Sequence, residues 1–313
     1  MASPNVDVQA PRKPAASLAS WGRALRPHQW VKNFLVFGAL IFSRSLFDPV
    51  AIWNSGLAFV AFCCASGAAY LLNDLRDAAS DREHPVKRLR PIASGEISLP
   101  AAGTGMALLA VTGLLVSLAL PPAFQAALGA YLALNAGYSL GLKRVVILDV
   151  MLVAMGFVLR AVAGALAIEV QASPWLVLCT LMLSLLVSFG KRRQELHLMG
   201  AGAGGHRATL KEYSVATLEM MMTVSAGAAI VCYSLYTMAD ETRTRFGSTN
   251  LVYTTPIVLF AVFRYLLQVF QHRDGGDPAR LLLSDRPLLV AVLVWVAAVC
   301  VIVYQPLASG GQR

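Results

Sequence analysis

Charge is what this sequence is shortest of: 14% of its 313 residues are Asp, Glu, Lys or Arg, against 57% hydrophobic. A soluble domain carries about a quarter charged residues, so a water-facing globular fold is excluded. Histidine and cysteine are scarce, at five residues each. Cys63, Cys64, Cys179, Cys232 and Cys300 all lie in apolar stretches, where a thiol packs as a small hydrophobe. No disulfide or metal-ligand spacing appears among them, and no catalytic His or Cys dyad is evident. The amino-terminal Arg12 and Lys13 have no apolar run behind them, so they do not read as a cleaved signal.

What the sequence has in quantity is apolar length. Mean hydropathy is +0.62, and stretches of roughly 20 residues, enough to cross a hydrocarbon core, recur along nearly the whole chain. Windows between polar breaks predict nine helices, at 31–47, 50–73, 99–120, 122–141, 146–169, 173–190, 213–238, 250–271 and 287–306. The expected fold class is all-α, a polytopic membrane bundle of about nine transmembrane helices. One transmembrane catalytic domain is expected over residues 21–308, between a disordered cytoplasmic tail (1–20) and a short extracytoplasmic tail (309–313).

Net charge is +9 and pI about 9.6. With the amino terminus inside, Arg76 to Arg90, Lys143 and Arg144, Lys191 to Lys211 and Arg273 to Arg286 all fall on the inner side. The outer segments keep only Arg44, Arg243, Arg245 and Arg313. The positive-inside rule then sets the orientation and accounts for the basic balance without nucleic acid. The expected location is a bacterial-type inner (plasma) membrane with the active site facing the cytoplasm.

On a helix, Asn73, Asp74, Asp77 and Asp81 project within a sector of about 100°. Clustered carboxylates at a membrane boundary repel one another unless a cation intervenes. Mg²⁺ suits them, because it binds through one or two carboxylates and takes phosphate oxygens for the rest. Past this run come Arg82, Lys87, Arg88 and Arg90, cations suited to a substrate with separated phosphate groups. Membrane anchoring accounts for any one of them equally well.

A second run, Ser188 to His197, ends at the same membrane level and offers Lys191, Arg192 and Glu195, with Lys191 and Glu195 spaced for an i, i+4 pair. Lys32 and Asn33 enter at headgroup depth beside the interface residue Trp30, and Tyr138 and Lys143 lie at the inner boundary before Asp149. Arg160 falls mid-helix, where an arginine needs a partner such as a carboxylate or a lipid phosphate, or a wet cavity.

The Asn-Asp-x-x-Asp-x-x-x-Asp run at Asn73 to Asp81, followed by Arg90-Pro-Ile-Ala-Ser-Gly95, resembles the UbiA-type superfamily of intramembrane prenyltransferases. Residues 25–33, 82–95, 138–143 and 190–195 most resemble its decaprenyl-phosphate phosphoribosyltransferase branch, and the likeness runs over about residues 21–306. Where the aromatic prenyltransferases of the superfamily carry a second acidic pair, this chain has Lys191 to Glu195.

The resemblance implies a UbiA-like bundle and Mg²⁺-dependent transfer of 5-phosphoribose from phosphoribosyl pyrophosphate to a polyprenyl phosphate, releasing pyrophosphate for cell-envelope polysaccharide precursors. It gives Asp74, Asp77 and Asp81 the catalytic place, and with Asn73 they hold the metal. Lys87, Arg88, Arg90, Lys191 and Arg192 are candidates for the 5-phosphate and the lipid phosphate, and a lateral apolar opening receives the isoprenoid tail. Lys32, Tyr138, Lys143, Arg160 and Glu195 complete the expected substrate-binding set. Prenylation of an aromatic acceptor of the 4-hydroxybenzoate type is the alternative, followed by lipid-phosphate transport, with assembly into a homo-oligomer left open.

Overall fold

The computed structural model describes residues 17–200, 208–271 and 278–309, and every regular element among them is helical. α1 (Leu18–Leu25) starts because the Ser17 side chain accepts the Ser20 N–H, the usual remedy for the unpaired donors of a first turn. Arg26, at φ 53°, turns the chain out of it, and Pro27 opens an eleven-residue 3₁₀ helix, Pro27–Phe37, that leads into the short α2 (Gly38–Phe42). The expected helix 31–47 is therefore a broken segment. Runs of 3₁₀ geometry longer than three or four residues are uncommon, and this one is clamped from outside. A Cβ added to Gly164 would stand 2.1 Å from the Val36 carbonyl oxygen, so only glycine lets the two backbones approach so closely.

α3 (Pro49–Glu83) begins at Asp48, whose carboxylate accepts the Val50 N–H, and stops before His84-Pro85. Its 35 residues span about 50 Å at 1.5 Å per residue, well beyond a hydrocarbon core of about 30 Å. The predicted end at 73 was where the apolar run stops. The helix continues because Leu71, Leu75 and Ala78 still pack on Trp21, Leu25, Ile92 and Ile97, so the acidic run projects from the bundle on a rigid support.

The remaining helices are α4 (Leu99–Ser117), α5 (Pro122–Leu140), α6 (Leu148–Ala167), α7 (Pro174–Gly200), α8 (Val215–Met238), α9 (Asp240–Phe246), α10 (Thr255–Gln271), α11 (Pro278–Ser284) and α12 (Arg286–Ser309). Seven helices among the described residues are long and apolar enough to cross a membrane. Of the other two expected spans, one is the broken 27–42 segment. The other is α5, a full helix made more polar by Gln125 and Asn135. The described residues thus establish seven of the nine.

Val36, Phe62, Phe124, Leu128 and Tyr131 pack one core between α3, α5 and α6. Leu186, Phe189, Leu218, Met222 and Tyr265 pack a second around α7, α8 and α10. Outward, Leu115, Val224, Phe260 and Val301 are exposed, as helices solvated by lipid require. The expected amino-terminal tail lies outside the described residues up to position 16, but from Leu18 the chain is helical rather than disordered. The expected tail after 309 lies outside them as well.

Candidate functional site

The acidic run divides into two stripes along the end of α3. Asp74 and Asp81 lie on one, both buried. Arg90 Nη1 bridges them, at 3.1 Å from Asp74 Oδ1 and 2.7 Å from Asp81 Oδ2. Arg26 Nη2 donates to both oxygens of Asp74 at 2.7 Å and lies over the Tyr70 ring. Asn73 and Asp77 form the other stripe. Lys143 Nζ donates to Asn73 Oδ1 at 3.2 Å and pairs with Asp77, whose side chain keeps 26% of its exposure, the most open of the three carboxylates.

Each carboxylate thus has a cation from a different part of the chain. Arg26 comes from the corner between α1 and the 3₁₀ helix, Arg90 from the α3–α4 loop, and Lys143 from the 3₁₀ turn Leu142–Arg144 after α5. The α3–α4 loop is shaped by buried His84, whose Nδ1 accepts the backbone N–H groups of Val86 and Lys87. That cap starts the 3₁₀ turn Lys87–Leu89 and leaves Arg88 exposed, while Arg82 Nε donates to the Ala93 carbonyl across the same loop.

Among the described residues no three His, Cys, Asp or Glu side chains stand close enough together to hold a metal ion. Arg90 lies between Asp74 and Asp81, Arg26 pairs with Asp74, and Lys143 lies between Asn73 and Asp77. The donor set still fits Mg²⁺: it is all oxygen, it lines one helix end, and Mg²⁺ needs only one or two carboxylates when phosphate and water complete its shell. Asn73 and Asp77 are the more open pair, while Asp74 and Asp81 are held beneath Arg26 and Arg90.

Other expected residues are placed differently. Arg192 is buried and committed to protein partners, with Nε 2.7 Å from Asp149 Oδ2 and Nη1 2.7 Å from Glu195 Oε2. It is therefore not displayed to a substrate phosphate. Asp149 is fully buried and also accepts from the Tyr213 hydroxyl at 3.1 Å. Burial pushes the Tyr213 phenol up to about 12, so it stays protonated and donates. Tyr138 is half-buried at the end of α5.

Arg160 is buried and, among the described residues, has no carboxylate partner. Its Nε donates to Asn33 Oδ1 at 2.7 Å, Nη1 to the Gly156 carbonyl at 2.9 Å and Nη2 to the Tyr131 hydroxyl at 2.6 Å, and it lies over the Tyr131 and Phe157 rings. Aromatic faces and neutral acceptors stand in for a counter-ion.

Lys32 and Lys191 line a cavity of about 590 Å³ between the 3₁₀ helix and α6, α7, α8, α10, α11 and α12. Gln29 and Ser188 join them, and Leu183, Val258, Leu288 and Trp295 make most of the remaining wall apolar. Tyr265 also lines it, with a buried hydroxyl that has no hydrogen-bond partner among the described residues.

Residues 34–284 match the UbiA prenyltransferase family. The chain belongs to that family. It is 37% identical to a decaprenyl-phosphate phosphoribosyltransferase of Corynebacterium glutamicum over 299 residues, covering 94% of this chain and 90% of the relative. It is 36% identical to one of Mycobacterium tuberculosis over 293 residues, 91% of this chain and 95% of that one. A UbiA homologue from Archaeoglobus fulgidus, solved bound to GPP and Mg²⁺, has the same fold, with a TM-score of 0.69 at 18% identity over 91% of this chain and 99% of its own. This UbiA-family member is an integral, multi-pass membrane protein.

Tyr213 and Tyr265 belong to these constellations and are not evident from local spacing, whereas Arg26 lies in the marked segment 25–33 and Asp149 follows Tyr138 and Lys143 at the inner boundary.

Proposed function

We propose that this protein transfers 5-phosphoribose from phosphoribosyl pyrophosphate to a polyprenyl phosphate of the decaprenyl type, releasing pyrophosphate. The observation that carries the reading is a single acidic face, Asn73 to Asp81, with a separate apolar cavity that has lysines at one end. A sugar diphosphate donor suits the first, and a lipid monophosphate suits the second. Where a prenyl diphosphate enzyme would use another acidic pair, Arg192 is instead locked to Asp149 and Glu195. The near full-length likeness to proteins named decaprenyl-phosphate phosphoribosyltransferases supports the same choice.

Asn73, Asp74, Asp77 and Asp81 are the residues that would hold Mg²⁺, which when bound neutralises charge on the diphosphate. Arg90 and Lys143 sit on the same carboxylates and turn to the donor's phosphate oxygens as those oxygens arrive; Lys87 and Arg88 extend that basic rim. The anomeric C–O bond breaks with its electron pair leaving on pyrophosphate, and the basic groups favour the charge that develops there. A polyprenyl phosphate oxygen forms the new bond to the same carbon. It is already anionic near neutral pH, so no protein base is needed.

Lys32 and Lys191 hold the acceptor's phosphate, and the cavity wall from Leu183 to Trp295 receives the first isoprene units. The concentration of basic residues in the loops on this side supports a cytoplasmic orientation for this face, in a bacterial-type plasma membrane.

Purified protein given Mg²⁺, phosphoribosyl pyrophosphate and decaprenyl phosphate should release pyrophosphate and label the lipid. Turnover only with prenyl diphosphate and 4-hydroxybenzoate would overturn the reading. Asp77→Ala should abolish Mg²⁺-dependent transfer, and full retained activity would remove the acidic run from the site.

A further inference from the structure

Four described non-glycine residues have positive φ, Arg26, Arg44, Ile147 and Glu169, and only Ile147 is β-branched. Its φ of 67° and ψ of −47° lie near the rare, strained form of the γ-turn, a conformation that a β-branched residue avoids. The residue is 43% exposed, so side-chain packing holds it only weakly; its carbonyl accepts the Val150 and Met151 N–H groups of α6 at 3.0 and 2.9 Å, and its N–H is held separately. The Ile147 N–H donates to the Tyr213 hydroxyl oxygen at 2.6 Å. The same hydroxyl donates to Asp149, which Arg192 anchors in turn.

Ile147 ends the short connection that carries Lys143. The Arg144 N–H bonds to the Gly141 carbonyl at 2.9 Å and the Val145 N–H to the Leu142 carbonyl at 3.1 Å, so the turn is bonded within itself, and the Asp149 N–H ties it to α6 across Ile147 through the Val145 carbonyl at 3.0 Å. We propose that Tyr213 is a positioning residue: by holding Ile147 in its strained conformation, it sets where Lys143 meets Asn73 and Asp77. The second basic run thereby reaches the first acidic one through a chain of contacts, Arg192 to Asp149 to Tyr213 to Ile147. In the catalytic sense this rests on the reading of Asn73 to Asp81 as the donor site; the placement of Lys143 does not.

The test is a cycle of Tyr213→Phe, Ile147→Gly and their double variant in the full-length protein. Glycine adopts positive φ without strain, so it removes the need for the hydroxyl. Loss of the two hydrogen bonds of Tyr213→Phe should lower kcat/KM for phosphoribosyl pyrophosphate about tenfold, with KM for the lipid phosphate unchanged. The double variant should recover most of that loss. A double variant no better than Tyr213→Phe, or a Tyr213→Phe protein with wild-type kinetics, overturns the proposal.

Acylation of Lys143, read by mass spectrometry, needs no substrate. It should rise in Tyr213→Phe and return towards the wild-type level in the double variant. That pattern in a protein without phosphoribosyl transfer would keep the positioning role and discard the proposed function. Transfer without that pattern would do the reverse. Should Tyr213→Phe not fold, a folded double variant supports the strain reading, and two unfolded proteins overturn it.

Discussion

Arg90 faces two buried carboxylates at once. Removing one partner of a buried ion pair costs about 3–5 kcal/mol, because the remaining charge stays desolvated. Arg90 keeps about a quarter of its side-chain exposure, so the cost of Arg90→Ala should fall near the lower end, about 3 kcal/mol. It should appear as a lower thermal midpoint in detergent together with lost transfer. Arg90→Lys should recover only part of it, since an ammonium is more strongly hydrated than a guanidinium and suits a buried ion pair less well. Equal stability of Arg90→Lys and wild type would show that charge alone matters there.

At the scale of elements, two contacts decide how the amino-terminal segments sit. Gly164 touches the Val36 carbonyl, and Gly164→Ala has no room for its methyl group because the obstacle is backbone. Overpacking of this kind costs about 1–3 kcal/mol. The 3₁₀ helix should shift, and with it Lys32, so KM for the lipid phosphate should rise while Ala at the open position Gly129 changes nothing. The second contact is Glu96 with Ser20 and Arg23 of α1. The Ser20 hydroxyl first, then Arg23, holds the Glu96 carboxyl below its ordinary value of 4.5.

A lowered folded-state value means that this contribution is complete above the unfolded value and is lost as pH falls through the folded one. Docking of α1 should therefore weaken only below about pH 4.5. Protease cleavage after Arg23 or Arg26 should rise in that window in the wild type, whereas Glu96→Gln should be cleaved equally above and below it.

For the whole molecule, the decisive arrangement is an acidic face at one end of α3 and an apolar cavity beside the second core, with the corner before the 3₁₀ helix contributing Arg26 to one and the helix itself Lys32 to the other. Bulk placed in the cavity should separate the two substrates. Ala261→Phe should raise KM for decaprenyl phosphate about tenfold, the scale of losing one or two buried methylenes of contact. It should leave KM for phosphoribosyl pyrophosphate unchanged and affect a one-isoprene phosphate less. Equal effects on long and short acceptors would move the lipid site elsewhere.

The helical membrane bundle was legible because lipid demands long apolar helices, a property that a hydropathy window measures directly. That the acidic run shares one side of a helix was legible too, a local matter of helix geometry, but its division into a buried pair, Asp74 and Asp81, and a more open one, Asn73 and Asp77, was not. Tertiary structure decided what those residues face. Lys191 and Arg192 are neighbours in one basic run, yet one lines the cavity and the other is locked to Asp149, because consecutive helical residues point about 100° apart and only packing settles which points inward. Likewise Arg26, Arg90 and Lys143 come from three separate connections, and no spacing along the chain brings them to α3.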